Sequence, residues 1–200
     1  MAPTFTTAAV TAKLTAVEQQ AHAAGWDTMP VLYAVFDQSP LGIHHTVEAA
    51  AVPIDEAVWR LHAQSVAGMR LPHWVGLQAI TDLLASRRAP QWLPGWLHRQ
   101  PHRDLIGFAF LQEGLDTTAL NDDPQAEPTQ VRALTGCDLK GCVYEIVRVR
   151  GTAEPAVTVL TAPSPQQRAK VITACLQRLV AAHRSPPGEP REQADTSEVR

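Results

Sequence analysis

The stretch from Val131 to Ala162 most restricts what this chain can fold into. Val131 to Cys137 suits an extended strand, Asp138-Leu139-Lys140-Gly141 reads as a turn, and Cys142 to Arg150 is a long β-branched and aromatic run. Val157 to Thr161 answers that run across Gly151-Thr152-Ala153-Glu154-Pro155. Turns rich in Gly, Asp and Pro between apolar runs predict an antiparallel meander, because those residues supply the backbone angles of tight reversals. On the middle strand Val143, Glu145, Val147 and Val149 share one face, and Tyr144, Ile146, Arg148 and Arg150 share the other. One face can be buried almost throughout, while the other becomes basic toward Arg150. A sheet half-buried in this way needs a helix to cover it.

That helix is written next. Ser164-Pro165-Gln166-Gln167 offers an N-cap, a proline at the first helical position and a capping-box Gln. Val171, Ile172, Cys175, Leu176, Leu179 and Val180 then recur at helical spacing, leaving Arg168, Lys170, Gln177 and Arg178 toward solvent. Beyond His183, Ser185-Pro186-Pro187-Gly188 opens a polar run to Arg200, which reads as a disordered tail over residues 185–200.

The rest of the ordered chain supplies two more strands and three helices. Thr6 or Thr7 can cap a first helix with Val10, Leu14, Val17 and Ala21 on its apolar stripe, and Gly25 stops it. Val31 to Asp37, bounded by Pro30 and Gln38-Ser39-Pro40, is too short and too apolar for anything but a buried strand, and Leu105 to Leu111 reads the same way. Leu41 to Pro53 is a loop with room for a brief strand at Thr46 to Val52. A helix from Pro53 or Asp55 uses Val58, Leu61, Val66 and Met69 and ends at Leu71-Pro72. Another covers Val75 to Ala85. The expected fold is one α+β domain over residues 5–184. Its mainly antiparallel five-stranded sheet is covered on one face by the N- and C-terminal helices, with a helical insertion between strands 1 and 2. That layout resembles sensor-like and secretion-chaperone-like sheets.

Several of these segments carry a further resemblance. Gly25-Trp26-Asp27 with Pro30 and Leu32-Tyr33-Ala34-Val35, then Gly107-Phe108-Ala109-Phe110 and Glu113, resemble a group of small actinobacterial and actinophage proteins of unknown function. So do the Asp-then-Gly turn and the Arg-Val-Arg-Gly strand end between Asp138 and Gly151. The resemblance spans residues 5 to 162 and implies a shared fold; it implies no activity and names no catalytic residue.

Composition narrows function without naming it. With 200 residues, 45% of them hydrophobic, the chain can bury a substantial core, and a formal charge of −3 gives it no overall pull toward nucleic acid or anionic membrane. The N-terminus shows no leader and no run approaches the roughly 18 residues of a spanning helix, so a soluble cytoplasmic protein is expected. Three cysteines suit reduced thiols better than a disulfide framework. Arginine outnumbers lysine fourteen to three, the usage of a GC-rich bacterial coding sequence.

One segment departs from the average. From Leu83 to Arg103 no acidic residue occurs, while Arg87, Arg88, Arg99 and Arg103 stand around Trp92 and Trp96. That is the composition of a protein-binding hot spot or, less favoured by the overall charge, of a base-stacking and phosphate-contacting surface. The plain reading is one turn of short helix that buries its tryptophans and leaves the arginines solvated.

Signatures of chemistry are scarce. Cys137 and Cys142 flank a turn where their side chains can approach, yet four zinc ligands are not at hand; small apolar fillers is the simpler reading. His98 and His102 have helical spacing, interrupted by Pro101. His44 and His45 with Asp37 and Glu113 offer a base and an orienting carboxylate if folding joins them. A nucleophile elbow, a phosphate loop and a dinucleotide fingerprint are missing. The sequence therefore points to an accessory module that binds a protein partner, with no cofactor, metal or catalytic residue assigned. A small-molecule sensor with an apolar pocket between sheet and helices, suggested by Tyr33, Phe36, Phe108, Phe110 and Tyr144, is the second reading, and an enzyme built on the histidines and nearby acids is the third.

Overall fold

A computed structural model describes residues 5–38, 46–63, 71–86, 96, 104–116, 125 and 127–183. Its elements run α1 (Thr7–Ala24), β1 (Val31–Asp37), β2 (Val47–Ala51), α2 (Glu56–Ala63), α3 (His73–Leu84), β3 (Asp104–Asp116), β4 (Thr129–Asp138), β5 (Val143–Val149), β6 (Ala156–Leu160), α4 (Pro165–Ala169) and α5 (Val171–His183). The fold is α+β, as the sequence implies, with one open antiparallel sheet in the order β2-β1-β3-β4-β5-β6. It has six strands, not five. The added strand is the brief one after Thr46, paired to β1 from Asp37↔Val47 to Tyr33↔Ala51, so the helical insertion follows the second strand.

The helices lie on both faces, which corrects the expectation of a single cover. The central strands are apolar on both sides. On β3 every residue from Ile106 to Leu111 is buried. One core joins Leu32, Phe36, Phe108, Phe110, Cys137 and Val143 to Trp59 of α2, Leu77 and Ile80 of α3, and Leu176 and Leu179 of α5. The other core joins Val35, Ile106, Leu134, Tyr144 and Ile146 to Val10, Leu14 and Val17 of α1. A strand apolar on both faces loses hydrophobic stabilisation wherever one face stays wet, so the terminal helices take opposite sides.

Local signals place these elements well. Thr6 Oγ1 caps α1 by accepting from the Ala9 amide at 3.1 Å. Gly25 closes that helix at φ 111°, a conformation open to glycine. At Gly136 an added Cβ would lie 2.7 Å from Leu14 Cδ1, so the missing side chain lets α1 settle on β4. Ser164 and Gln167 form the expected capping box. The helix it starts is broken at Lys170, whose backbone is extended (φ −56°, ψ 132°), although neither glycine nor proline stands there. Val171, assigned to the apolar stripe, is consequently exposed. The break redirects α5 over β3 and β4 and sets Lys170 Nζ 3.0 Å from Glu145.

The strand face read as basic is the more deeply buried one. Tyr144, Ile146 and Arg148 are all at most 1% exposed, whereas Val149 on the other face is 38% exposed. Arg148 can be buried because Glu18 of α1 meets it with both carboxylate oxygens, Nε to Oε1 and Nη2 to Oε2, each at 2.8 Å. Its Nη1 donates to the carbonyls of Thr152 and Ala153 in the β5–β6 turn. Glu18 follows Leu14 by four positions, so it lies on the inward stripe of α1. Deleting one partner of a buried pair strands the other charge, at about 3–5 kcal/mol. Glu18→Ala should lower stability by about that amount in chemical denaturation, while Glu18→Leu with Arg148→Met should recover most of it. Equal losses in the single and double variants would show that the charge pair is not what holds α1 down.

Candidate functional site

Among the described residues, helical cover stops short on the face shared by α2, α3 and α5. The residues that β4 presents there, Ala133, Thr135 and Cys137, are all small, so the floor is hollow where no helix fills it. Trp74 overhangs this gap. It precedes Leu77 by three positions and so continues the inward stripe of α3 beyond the last core contact.

Trp74 separates two clefts. The first, about 400 Å³, has Ala133, Thr135 and Val147 as its floor and the first turn of α5 from Val171 to Thr173 as its wall, with the Glu145–Lys170 ion pair beside it. The second, about 630 Å³, lies between the start of α3 (Leu71, Pro72, His73) and the ends of β3 and β4 (Gln112, Glu113, Leu115, Gln130), closed by Asp27 to Met29. Leu115, Val171 and Leu71 are exposed around them. Both volumes fall in the roughly 300–1,000 Å³ range of pockets that hold small ligands or partner side chains.

A polar lock forms the far wall of the second cleft. Arg132, with no exposed surface, donates from Nε and Nη2 to Glu113 Oε1 at 3.1 and 2.6 Å and from Nη2 to the Gly25 carbonyl. Glu113 also accepts from the Asp27 amide at 2.7 Å and from Thr28 Oγ1 at 3.2 Å. Trp26 stacks against two guanidiniums, Arg132 at 4.5 Å and Arg150 at 5.5 Å. Arg150 reaches on to Gln130. Asp27 holds φ 65°, a left-handed conformation that Asp tolerates better than most residues. The segments quoted for the family resemblance, Gly25-Trp26-Asp27, Glu113 and the strand end at Arg150, thus meet in one place. Arg132 and the Trp74 cleft escaped sequence reasoning; an arginine inside an otherwise apolar strand is the signal that marks the former.

The described residues among those singled out for chemistry do not come together. Of the tryptophan and arginine segment only Trp96 lies among the described residues; it is half-buried against the core, edge-on to Phe36 at 6.2 Å. Trp92, Arg87, Arg88, Arg99 and Arg103 lie outside them, as do His44, His45, His98 and His102. Glu113, proposed as an orienting acid, is occupied by Arg132, Asp27 and Thr28. Of the aromatics that suggested a pocket, Phe36, Phe108 and Phe110 fill one core and Tyr144 the other. Cys137 and Cys142 each fill apolar space, as the simpler reading has it, and belong to opposite cores.

Burial holds the three thiols and the Tyr144 phenol in their neutral forms. Burial, and then the neighbouring Asp138 and Glu145 carboxylates, push the Cys137 thiol up to about 12. Burial is also the main cause raising Cys142 and Cys175. Tyr144 is raised by burial and by donating to Asp138 Oδ2 at 2.7 Å. Asp138 in turn uses Oδ1 to accept the Lys140 and Cys142 amides, each at 2.9 Å, which fixes the β4–β5 turn. Among the described residues no group of three or more His, Cys, Asp and Glu side chains could hold a metal ion, and no helix is long and apolar enough to cross a membrane. No family model, curated protein or solved structure matches the chain.

Two outcomes follow for the buried groups. At about pH 8 a disulfide exchange reagent should leave all three thiols unmodified in the folded protein and titrate them only after denaturation, since the thiolate is the reactive form; rapid reaction of a native thiol would contradict their burial. Burial also lowers the His183 imidazole, with the Leu84 carbonyl opposing it more weakly. Below about pH 6.5 the unfolded chain then binds a proton that the folded chain resists, so stability is lost on acidification. The melting temperature should therefore fall from about pH 7 to about pH 5, and less steeply in His183→Leu. An equal slope in the variant would assign the loss to other groups.

Proposed function

We propose that this protein is a non-catalytic binding module that takes apolar side chains of a partner protein into the clefts on either side of Trp74. The observation that carries the reading is the half-buried Trp74 standing over small strand residues on a sheet face that the helices leave open. Exposed Leu71, Leu115 and Val171 surround it, and the Glu145–Lys170 pair, Asp27 and Gln130 supply a polar margin. An aromatic anchor within an apolar centre and a polar rim is the usual anatomy of a protein-binding hot spot. The neutral, core-bound thiols and the fully engaged Glu113 favour binding over catalysis. The composition of the arginine and tryptophan segment from Arg87 to Arg103 suits the same class of partner.

A photoreactive benzophenone side chain at Val147, inside the first cleft, tests this against one at Gln20 on the outer side of α1. In cells, Val147 should cross-link to a discrete partner that Gln20 does not reach, and Trp74→Ala should abolish the product while the variant still melts cooperatively. Identical cross-links from both positions, or a product indifferent to Trp74→Ala, would reject the reading. A small molecule retained by the purified protein in native mass spectrometry and released by Trp74→Ala would replace it with the sensor reading.

A further inference from the structure

The two edges of the sheet are finished differently. At the β2 edge Glu48 pairs with Lys13 of α1 at 3.1 Å, and α1 packs beside that strand. Charge at an edge discourages pairing with another chain. Among the described residues the β6 edge has no such guard. Ala156-Val157-Thr158-Val159-Leu160 holds no charge, and its first three residues are exposed, Val157 at 43%. Among the described residues β6 is paired on one side only, to β5, so alternate amides and carbonyls of its backbone face outward.

We infer that β6 is a self-association edge, and that its occupant is β6 of a second copy of this chain in antiparallel register about Thr158. The inference is independent of the cleft reading. Its basis is the near-palindrome of the strand. With Thr158 on a two-fold axis, Val157 faces Val159 of the second copy, Ala156 faces Leu160, and Thr158 faces itself. Every cross-strand pair is then apolar with apolar or threonine with threonine, the combinations that stabilise antiparallel neighbours. Such an interface is isologous, as most homodimers are. Pro155, with no amide hydrogen to give, ends the ladder at its own position. A shift by one residue would set Thr158 against a valine, so the pattern favours the alignment about Thr158. The axis stands perpendicular to a twelve-stranded sheet, and both Trp74 clefts open on the same side of it. Five residues of edge bury little surface, which places the dimer among weak, concentration-dependent contacts.

Thr158 gives a test specific to this register. It is exposed, so a charge there is compatible with the folded monomer, with lysine better suited than glutamate opposite Glu145 of β5, but on the axis it meets its own copy at about 5 Å. In sedimentation equilibrium the wild type should rise from the 21.8 kDa monomer toward twice that mass with concentration. Thr158→Lys and Thr158→Glu should each weaken the dimer about tenfold or more by self-repulsion, with unchanged circular dichroism. An equimolar mixture of the two should restore dimerisation as a heterodimer. A wild type that stays monomeric at millimolar concentration overturns the inference. So do charge variants that dimerise like the wild type, or a mixture that fails to recover.

Discussion

Two guanidiniums sit in this protein with essentially no exposed surface, and the arrangement of the layers answers to them. A buried arginine costs several kcal/mol unless a carboxylate and further acceptors reach it at good geometry. Arg148 draws Glu18 from α1 and two carbonyls from the β5–β6 turn. Arg132 draws Glu113 from β3 and the carbonyl that ends α1. Between them they fix where the first helix lies, at which register it crosses the sheet, and how β3, β4 and β5 meet at one end. Hydrophobic burial gives α1 its affinity for that face; the charge pairs make one position better than its neighbours.

The same lock shapes the open part of the molecule. With Glu113 accepting from Arg132, Asp27 and Thr28, the end of β3 runs on five residues past Leu111, and Asp27 and Thr28 fold onto it. That extension carries the sheet beyond the reach of α3 and α5. The surface left over is hollow because β4 offers only small side chains there, and Trp74 overhangs it because the apolar stripe of α3 outlasts the core beneath it. The clefts are thus a consequence of strands longer than their helical cover.

Much of the architecture was legible in local sequence. Val31 to Asp37 is a strand with the predicted ends, Thr6 caps α1, Ser164 and Gln167 close the capping box, and the turn at Asp138 to Gly141 joins two strands. These features depend on neighbours a few residues apart, which is where turn chemistry, capping and alternation act. The candidate site was hardly legible at all. Trp74 reads as one more apolar residue at a helix start, Ala133 and Thr135 as ordinary strand residues, and nothing adjacent in sequence announces that no helix will stand above them.

The sequence by itself determined the element types, the antiparallel meander and the positions of most caps, because each is settled by side chains within one turn or one hairpin. Only the tertiary structure decided which face each helix covers, that Arg148 and Arg132 are interior, and that the last helix breaks at Lys170. Those outcomes depend on partners 19 to 130 residues away, such as Glu113 for Arg132 and Glu18 for Arg148. The free energy of burying a charge or an apolar face is set by what lies opposite it, and that is not written beside it in the chain.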